Sequence, residues 1–140
     1  MYSLVLFNAL DPMECTDKEI NVTKRILGTI IAIREPLSLS GLARLLVSPH
    51  NVLANLDRIY AVVNVPPYKE DGVVSTFHSS FVDFLTTPGR APENMRILLS
   101  TTHRDLASGC LEVMNSSLQL TARHHTSPTH SRSSRQYLLY

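Results

Sequence analysis

The sequence predicts one mainly α-helical domain that contains a single β-hairpin. The chain has 140 residues, of which 44% are apolar, enough for one hydrophobic core. Apolar residues recur at helical spacing in several segments. Two short runs rich in β-branched residues, 62–65 and 73–77, flank the turn-rich segment 66–72, and this pattern predicts the hairpin.

Charge and cysteine content exclude several classes of protein. Residues 1–120 hold ten Lys and Arg against twelve Asp and Glu, so the chain is neither a polybasic nucleic-acid binder nor an acidic solvating chain. Cys15 and Cys110 stand far apart, which excludes a disulfide framework and a CxxC metal site. Since no apolar run reaches the roughly 18–20 residues of a membrane span, we expect a cytoplasmic protein without membrane contact.

Segment 1–12 is predicted to be the end of an upstream helix. Its apolar residues, from Tyr2 to Ala9, fall at helical spacing, and Asp11-Pro12 ends the pattern. A domain that begins part-way along an apolar helix predicts a neighbouring unit on its N-terminal side. The alternative is a short first helix that docks on the core.

The next two helices have clear start signals. Thr16 and Glu19 form a capping box, which predicts a helix over 17–34. After an extended link, Ser40 is predicted to cap a short helix over 41–46.

A third helix of this group is predicted over 49–60, with Ser48 as N-cap and Pro49 at the first helical position. Its inner face is predicted to comprise Val52, Leu56, Ile59 and Tyr60. The hairpin follows directly.

Two more helices are predicted, over 79–86 and 98–115. The inner face of the last one is predicted to hold Leu99, His103, Leu106, Cys110, Val113 and Met114. Cys110 is therefore expected to be a small core residue. Residues 121–140 are rich in Ser, Thr, His and Arg without periodicity, so we expect a disordered tail there.

The order of elements is typical of a winged helix. Three helices precede a β-hairpin and one further helix within residues 13–87, and residues 88–120 then supply a loop and the first helix of a following helical region. The predicted fold class is therefore mainly α: a winged helix followed by additional helices.

A winged helix suggests DNA binding as one hypothesis. The recognition helix would be Ser48–Tyr60, and the residues predicted to face outward are His50, Asn51, Asn55, Asp57 and Arg58. Phosphate binding needs several cations, and this helix offers one Arg. We therefore expect no nucleic-acid partner and rank a DNA-binding regulator third among the functions.

Motifs for catalysis are absent from the sequence. It contains no GxSxG, no HExxH and no glycine-rich phosphate loop, and its five glycines are scattered. We predict that the chain is not an enzyme, with no catalytic residues, no metal site and no cofactor of its own.

The segment 77–85 contains the one candidate binding residue, His78. It lies where the second strand passes into a helix, and the free amides of a helix N-terminus favour anions, so His78 is a candidate phosphate contact. Alternatively, His78 bonds a nearby carbonyl or Asp83. The large apolar residues of this segment are predicted to pack inward: Phe77, Phe81, Phe84 and Leu85.

Four motifs in order resemble a known family. IREPLSLSGLARLL, NVLANLDRIYAVVNVP, VVSTFHSSFVDFLTTPGRAPENMR and HRDLASGCLEVMN resemble the region that follows the NACHT ATPase core in fungal NACHT and WD-repeat proteins. These are STAND-class signalling ATPases, similar to NOD-like receptors. The resemblance covers about residues 2–120.

The resemblance implies a regulatory winged helix whose partner is an ATPase core in the same protein. It implies that His78 occupies the position of a His that contacts the β-phosphate of bound ADP and holds the closed state. In the best-known version of that motif an Asp stands where this chain has Ser79. The alternative function is a stand-alone winged-helix module that binds other proteins.

If the chain is one part of a larger ATPase, an apolar surface should be open where the core would sit. We expect this patch around Tyr2, Leu6 and the helix that follows Ser79, because exposed patches beyond a few hundred Å² usually mark interfaces.

Overall fold

The protein is mainly helical, with one small antiparallel sheet, as the sequence predicts. The computed structural model describes residues 1–11, 13–46, 52–67 and 72–125, with the backbone alone at 122–125. The helices in these residues are α1 (Tyr2–Ala9), α2 (Asp17–Ala32), α3 (Leu39–Leu45), α4 (Val52–Arg58), α5 (Ser79–Thr86) and α6 (Leu99–His125). The strands are β1 (Val63–Asn64) and β2 (Ser75–Thr76).

Helix α2 begins at the predicted capping box. The Glu19 amide donates to the Thr16 hydroxyl at 3.3 Å, and the Thr16 amide donates to the Glu19 carboxylate at 2.8 Å. The helix ends at Ala32, two residues before the predicted end, because Ile33 adopts an extended conformation.

Helix α3 begins two residues earlier than predicted. Its N-cap is Ser38 rather than Ser40, since the Ser38 hydroxyl accepts from the Gly41 amide at 3.2 Å. The same link runs beside the hairpin: the Val74 amide donates to the Leu37 carbonyl at 2.8 Å, and Ser38 forms an antiparallel bridge with Val73.

The hairpin pairs Val63 with Thr76 and Asn64 with Ser75. Helix α4, which precedes it, ends at Arg58, so Tyr60 is no longer at helical spacing and is exposed, contrary to prediction. The predicted start of that helix, at residues 48–49, lies outside the described residues.

One apolar core joins the helices and the sheet. Its largest fully buried side chains include Phe81, Leu6, Ile26, Leu27, Leu42, Leu56, Ile59, Leu85, Val63 and Val74. Every one of α1 to α5 contributes at least one of these residues or a neighbour in the same cluster. Burial of this cluster is the main source of stability.

Helix α6 packs against α2 and α3 through a face that shares only Leu106 and Val113 with the predicted one. The residues of α6 that are buried or half-buried are Thr102, Asp105, Leu106, Gly109 and Val113. Cys110 is exposed, so its predicted place in the core is wrong. Small residues decide the contact, because Gly28 meets Thr102 and Gly109 meets the backbone of Leu45.

Helix α6 is also longer than predicted. It continues to His125, so residues 121–125 are helical and not part of a disordered tail. The rest of the predicted tail, 126–140, lies outside the described residues.

The approach of α6 to α3 makes Gly109 intolerant of a side chain. A Cβ at this position would lie 2.5 Å from the Leu45 carbonyl oxygen. A Cβ is fixed to the backbone of α6 and the oxygen belongs to the backbone of α3, so neither atom can move away by a side-chain rotation. Although alanine favours helix by about 1 kcal/mol, we expect Gly109→Ala to lower the free energy of unfolding by about 1–3 kcal/mol in urea titrations.

Gly41→Ala is the matched control. Gly41 also lies in a helix, and a Cβ there would meet its nearest atom, the Ser38 hydroxyl oxygen, at 3.4 Å. This substitution should be neutral or slightly stabilising. Equal unfolding curves for the two variants would contradict the proposed close approach.

A charged cluster joins the start of α2 to the end of α4. Arg58 donates to the Glu19 carboxylate at 3.0 Å and also contacts the Cys15 thiol. The amide and hydroxyl of Thr16 donate to the Glu19 carboxylate and lower its pKa below the ordinary 4.5, and the Arg58 guanidinium makes a smaller contribution in the same direction.

This lowered pKa predicts a loss of stability in acid. A carboxylate whose pKa is lower in the folded state stabilises the fold above its unfolded pKa, and this stabilisation is lost as the pH falls through the folded pKa. Thermal unfolding should therefore show that Glu19→Gln loses less stability between pH 7 and pH 3 than the unsubstituted chain.

Glu35→Gln, at an exposed carboxylate, is the control for the loss of one negative charge. If Glu35→Gln reduces the loss of stability in acid as much as Glu19→Gln does, the contacts of Glu19 with Thr16 and Arg58 do not explain that loss.

Candidate functional site

His78 lies between the sheet and helix α5. The amide of Phe77 donates to the Val62 carbonyl at 3.3 Å, which holds the chain beside β1. His78 then adopts an extended conformation as the N-cap of α5, and its imidazole makes no cap hydrogen bond. The side chain is exposed.

Helix α5 is fixed behind His78 by its buried residues. Phe81 and Leu85 lie in the core, and the ring of Tyr2 packs on Phe81 and Phe84 with centroids 5.2 and 5.7 Å away. The Tyr2 hydroxyl lies 2.8 Å from the Ser80 hydroxyl. Helix α1 therefore anchors the first turn of α5.

These contacts correct the expected position of the open patch. Leu6 is buried, Tyr2 is half-buried, and both helices turn apolar residues toward each other. The exposed apolar residues of α1 lie on its other side and are Leu4 and Phe7. An apolar surface is therefore open, but on residues that the sequence analysis did not select.

The geometry at His78 can present donors to an anion. The first-turn amides of a helix have no intrahelical acceptor, and here the amide of Phe81 turns back to the His78 carbonyl at 3.1 Å. The amides of Ser79 and Ser80 remain at the start of the helix beside the exposed imidazole. No hydrogen bond joins His78 to Asp83, or to a carbonyl, within the described part of the chain.

Phe77 does not pack inward as predicted. It follows β2 in an extended stretch, where successive side chains point to opposite faces, and it is exposed whereas Val74 is buried. The prediction grouped Phe77 with the inward-facing residues of the following helix, but Phe77 precedes α5, which begins at Ser79.

The predicted DNA-facing surface of α4 is largely occupied by contacts within the protein. Asn55 is buried, and its side-chain oxygen lies 2.9 Å from the Thr23 hydroxyl, contrary to its predicted outward position. Arg58 is bound to Glu19. Asp57 is exposed, while His50 and Asn51 lie outside the described residues. The described residues of α4 therefore present no unpaired cation to a phosphate.

Helix α6 carries a second apolar stripe, which was not predicted. Ala107, Leu111, Met114 and Leu118 are all exposed. Their spacing of four, three and four residues indicates the stripe in the sequence. Met114 was instead assigned to the predicted inner face of this helix, so its alignment with Leu111 and Leu118 was not recognised.

The described residues contain no cluster of three or more His, Cys, Asp or Glu side chains that suits a metal ion. None of their helices combines the length and the apolar character required to cross a membrane.

Comparison of the chain with protein-family models, with curated proteins and with solved structures finds no match in any of the three.

Proposed function

We propose that the chain is a non-catalytic regulatory winged-helix region of a NACHT-type STAND signalling ATPase in the cytoplasm. In this proposal the chain packs against an ATPase core of the same protein and helps to hold the ADP-bound closed state. The motifs that resemble the region after a NACHT core motivate it, and three structural observations support it.

The first support is the topology. The three helices α2, α3 and α4 precede a hairpin, and α5 follows it. The link before α3 adds a bridge, between Ser38 and Val73, to the outer side of the second strand. In a winged helix, three helices pack beside a small sheet. The segment between the first two helices adds a short extended piece to the hairpin of that sheet.

The observation that carries the proposal is the outer face of α1. Only Ser3 and Asn8 are polar in this helix, and a helix that is apolar nearly all round is normally buried. Yet Leu4 is 66% exposed and Phe7 is 55% exposed, whereas Leu6 is 1% exposed. One side of α1 is therefore covered by this chain. The other side is apolar and exposed, as expected of a surface that another folded unit covers.

The third support is the exposure of His78. An imidazole at the start of α5, with free amides beside it, can donate to a phosphate that another part of the protein holds. The chain has no phosphate-binding loop, so it supplies one side of such a site. The Ser79 hydroxyl replaces the Asp of the best-known motif, so the contact proposed here relies on His78 and the backbone.

Calorimetry with ADP tests this division of the site. The 140-residue chain alone should bind ADP no more tightly than about 1 mM, which corresponds to about 4 kcal/mol of binding free energy, because its sequence contains no glycine-rich phosphate loop. Micromolar binding by the isolated chain would contradict the proposal.

The coding sequence upstream separates the proposal from a stand-alone protein-binding module. A GxxxxGK[ST] motif within a few hundred codons on the N-terminal side is expected. In that longer protein, His78→Ala should speed ADP release and raise basal signalling.

His103→Ala is the matched control. It removes an exposed His that lies on α6 rather than at the start of α5, and should leave ADP release unchanged. If neither substitution changes it, His78 has no part in holding the nucleotide.

A further inference from the structure

The second apolar stripe of α6 is a helix face without a partner in the described part of the chain. Leu111 is 66% exposed, Met114 59% and Leu118 67%, and Ala107 continues the stripe toward the helix start. From Met114 to Thr121 every residue is exposed on every side. The end of α6 therefore projects beyond the helices that support its first half.

This stripe lies nearly opposite the face that packs on the protein. An α-helix turns by roughly 100° per residue, so the stripe is rotated by roughly 150° from the face that contains Thr102, Leu106, Gly109 and Val113. A partner helix can therefore contact the stripe without displacing α2 or α3.

We propose that α6 pairs with α6 of a second copy of this chain in an antiparallel helix pair. Spacings of four, three and four residues are those of alternating a and d positions in a heptad repeat, which bring two helices together along one seam. The proposal does not depend on the function proposed above, because it uses only the exposure and spacing of residues on α6.

The register follows from the sizes of the side chains. In an antiparallel pair, Leu118 lies opposite Ala107 of the second copy and Met114 lies opposite Leu111. This alignment gives four apolar layers, two of which place a large residue against a small one. A shift by one heptad toward the helix start would set Arg104 opposite Met114 and leave fewer apolar layers.

Charge favours the antiparallel orientation. Arg104 falls at the next seam position before Ala107, so a parallel pair would place two Arg104 side chains against each other, whereas the antiparallel pair places Arg104 opposite Thr121. The residues that flank the seam are small and uncharged: Ser108, Cys110, Asn115 and Ser117. They permit close approach and bring no like charges together.

The size of this contact predicts a modest affinity. Two helices joined along these four layers bury on the order of 1,000 Å² in total, at the lower end of specific interfaces. We therefore expect a dissociation constant in the micromolar range, with monomer and dimer in rapid exchange.

Analytical ultracentrifugation of the full 140-residue chain tests the pairing. A dimer is expected at 100 µM. Leu111→Lys, at the centre of the seam, should raise the dissociation constant at least tenfold, as should Leu118→Lys. Both side chains are exposed, so circular dichroism and the melting temperature should change little.

Leu4→Lys, on the exposed face of α1, is the matched control and should leave the dimer intact. A monomer at 100 µM would overturn the proposal. So would dissociation by Leu4→Lys together with retention of the dimer in Leu111→Lys, since the second copy would then contact α1.

Engineered cysteines test the orientation. In a Cys110→Ser background, a mixture of Ala107→Cys and Leu118→Cys chains should form the mixed disulfide on mild oxidation. If Leu118→Cys chains link mainly to each other, the helices are parallel and the proposed register is wrong.

Discussion

The close approach of α6 to α2 and α3 determines which surfaces of the protein are buried. Gly28 leaves room for the Thr102 side chain, and Gly109 lies against the backbone of Leu45, where a Cβ would clash with the carbonyl oxygen. A helix that packs through small residues buries little of its own apolar surface. The larger apolar residues of α6 are consequently left on its other face, and this arrangement creates the exposed stripe.

The link between Glu19 and Arg58 has a comparable effect on α4. It ties the end of α4 to the capped start of α2, while Thr23 meets Asn55 between the same two helices. Asn55 and Arg58, two of the polar residues that a DNA-binding helix would present to a groove, are here used for contacts within the protein. Exposed on α4 are instead Leu53, Ala54 and Asp57, a set without positive charge.

Local signals predicted the elements well and their outward faces poorly. The capping box at Thr16, the hairpin and the start of α5 follow from neighbouring residues, and each is present. Cys110 was misplaced because helical spacing alone does not show which side of a helix another element covers. Phe77 was misplaced because a local pattern does not show which face of an extended stretch the core covers. Gly109 carries the missing information for α6, but its effect depends on Leu45, which is distant in sequence.

The candidate site shows the same division. The sequence located His78 at a strand-to-helix junction, but only the structure shows that Tyr2 anchors the turn behind it and that Asp83 makes no bond to it. The contact between Tyr2 and Ser80 joins residues 78 positions apart in the sequence, and no local pattern predicts it.

The exposed apolar faces of α1 and α6 differ in pattern, and this difference argues for different partners. Helix α1 is apolar nearly all round and, at eight residues, too short to show a heptad repeat, so a broad surface of another folded unit fits it as well as a helix does. The stripe on α6 is narrow and has the regular spacing that pairs one helix with another, and the small residues beside it permit close approach. The two faces can therefore be occupied at the same time, one by a neighbouring domain and one by a second copy, because neither contact uses residues of the other.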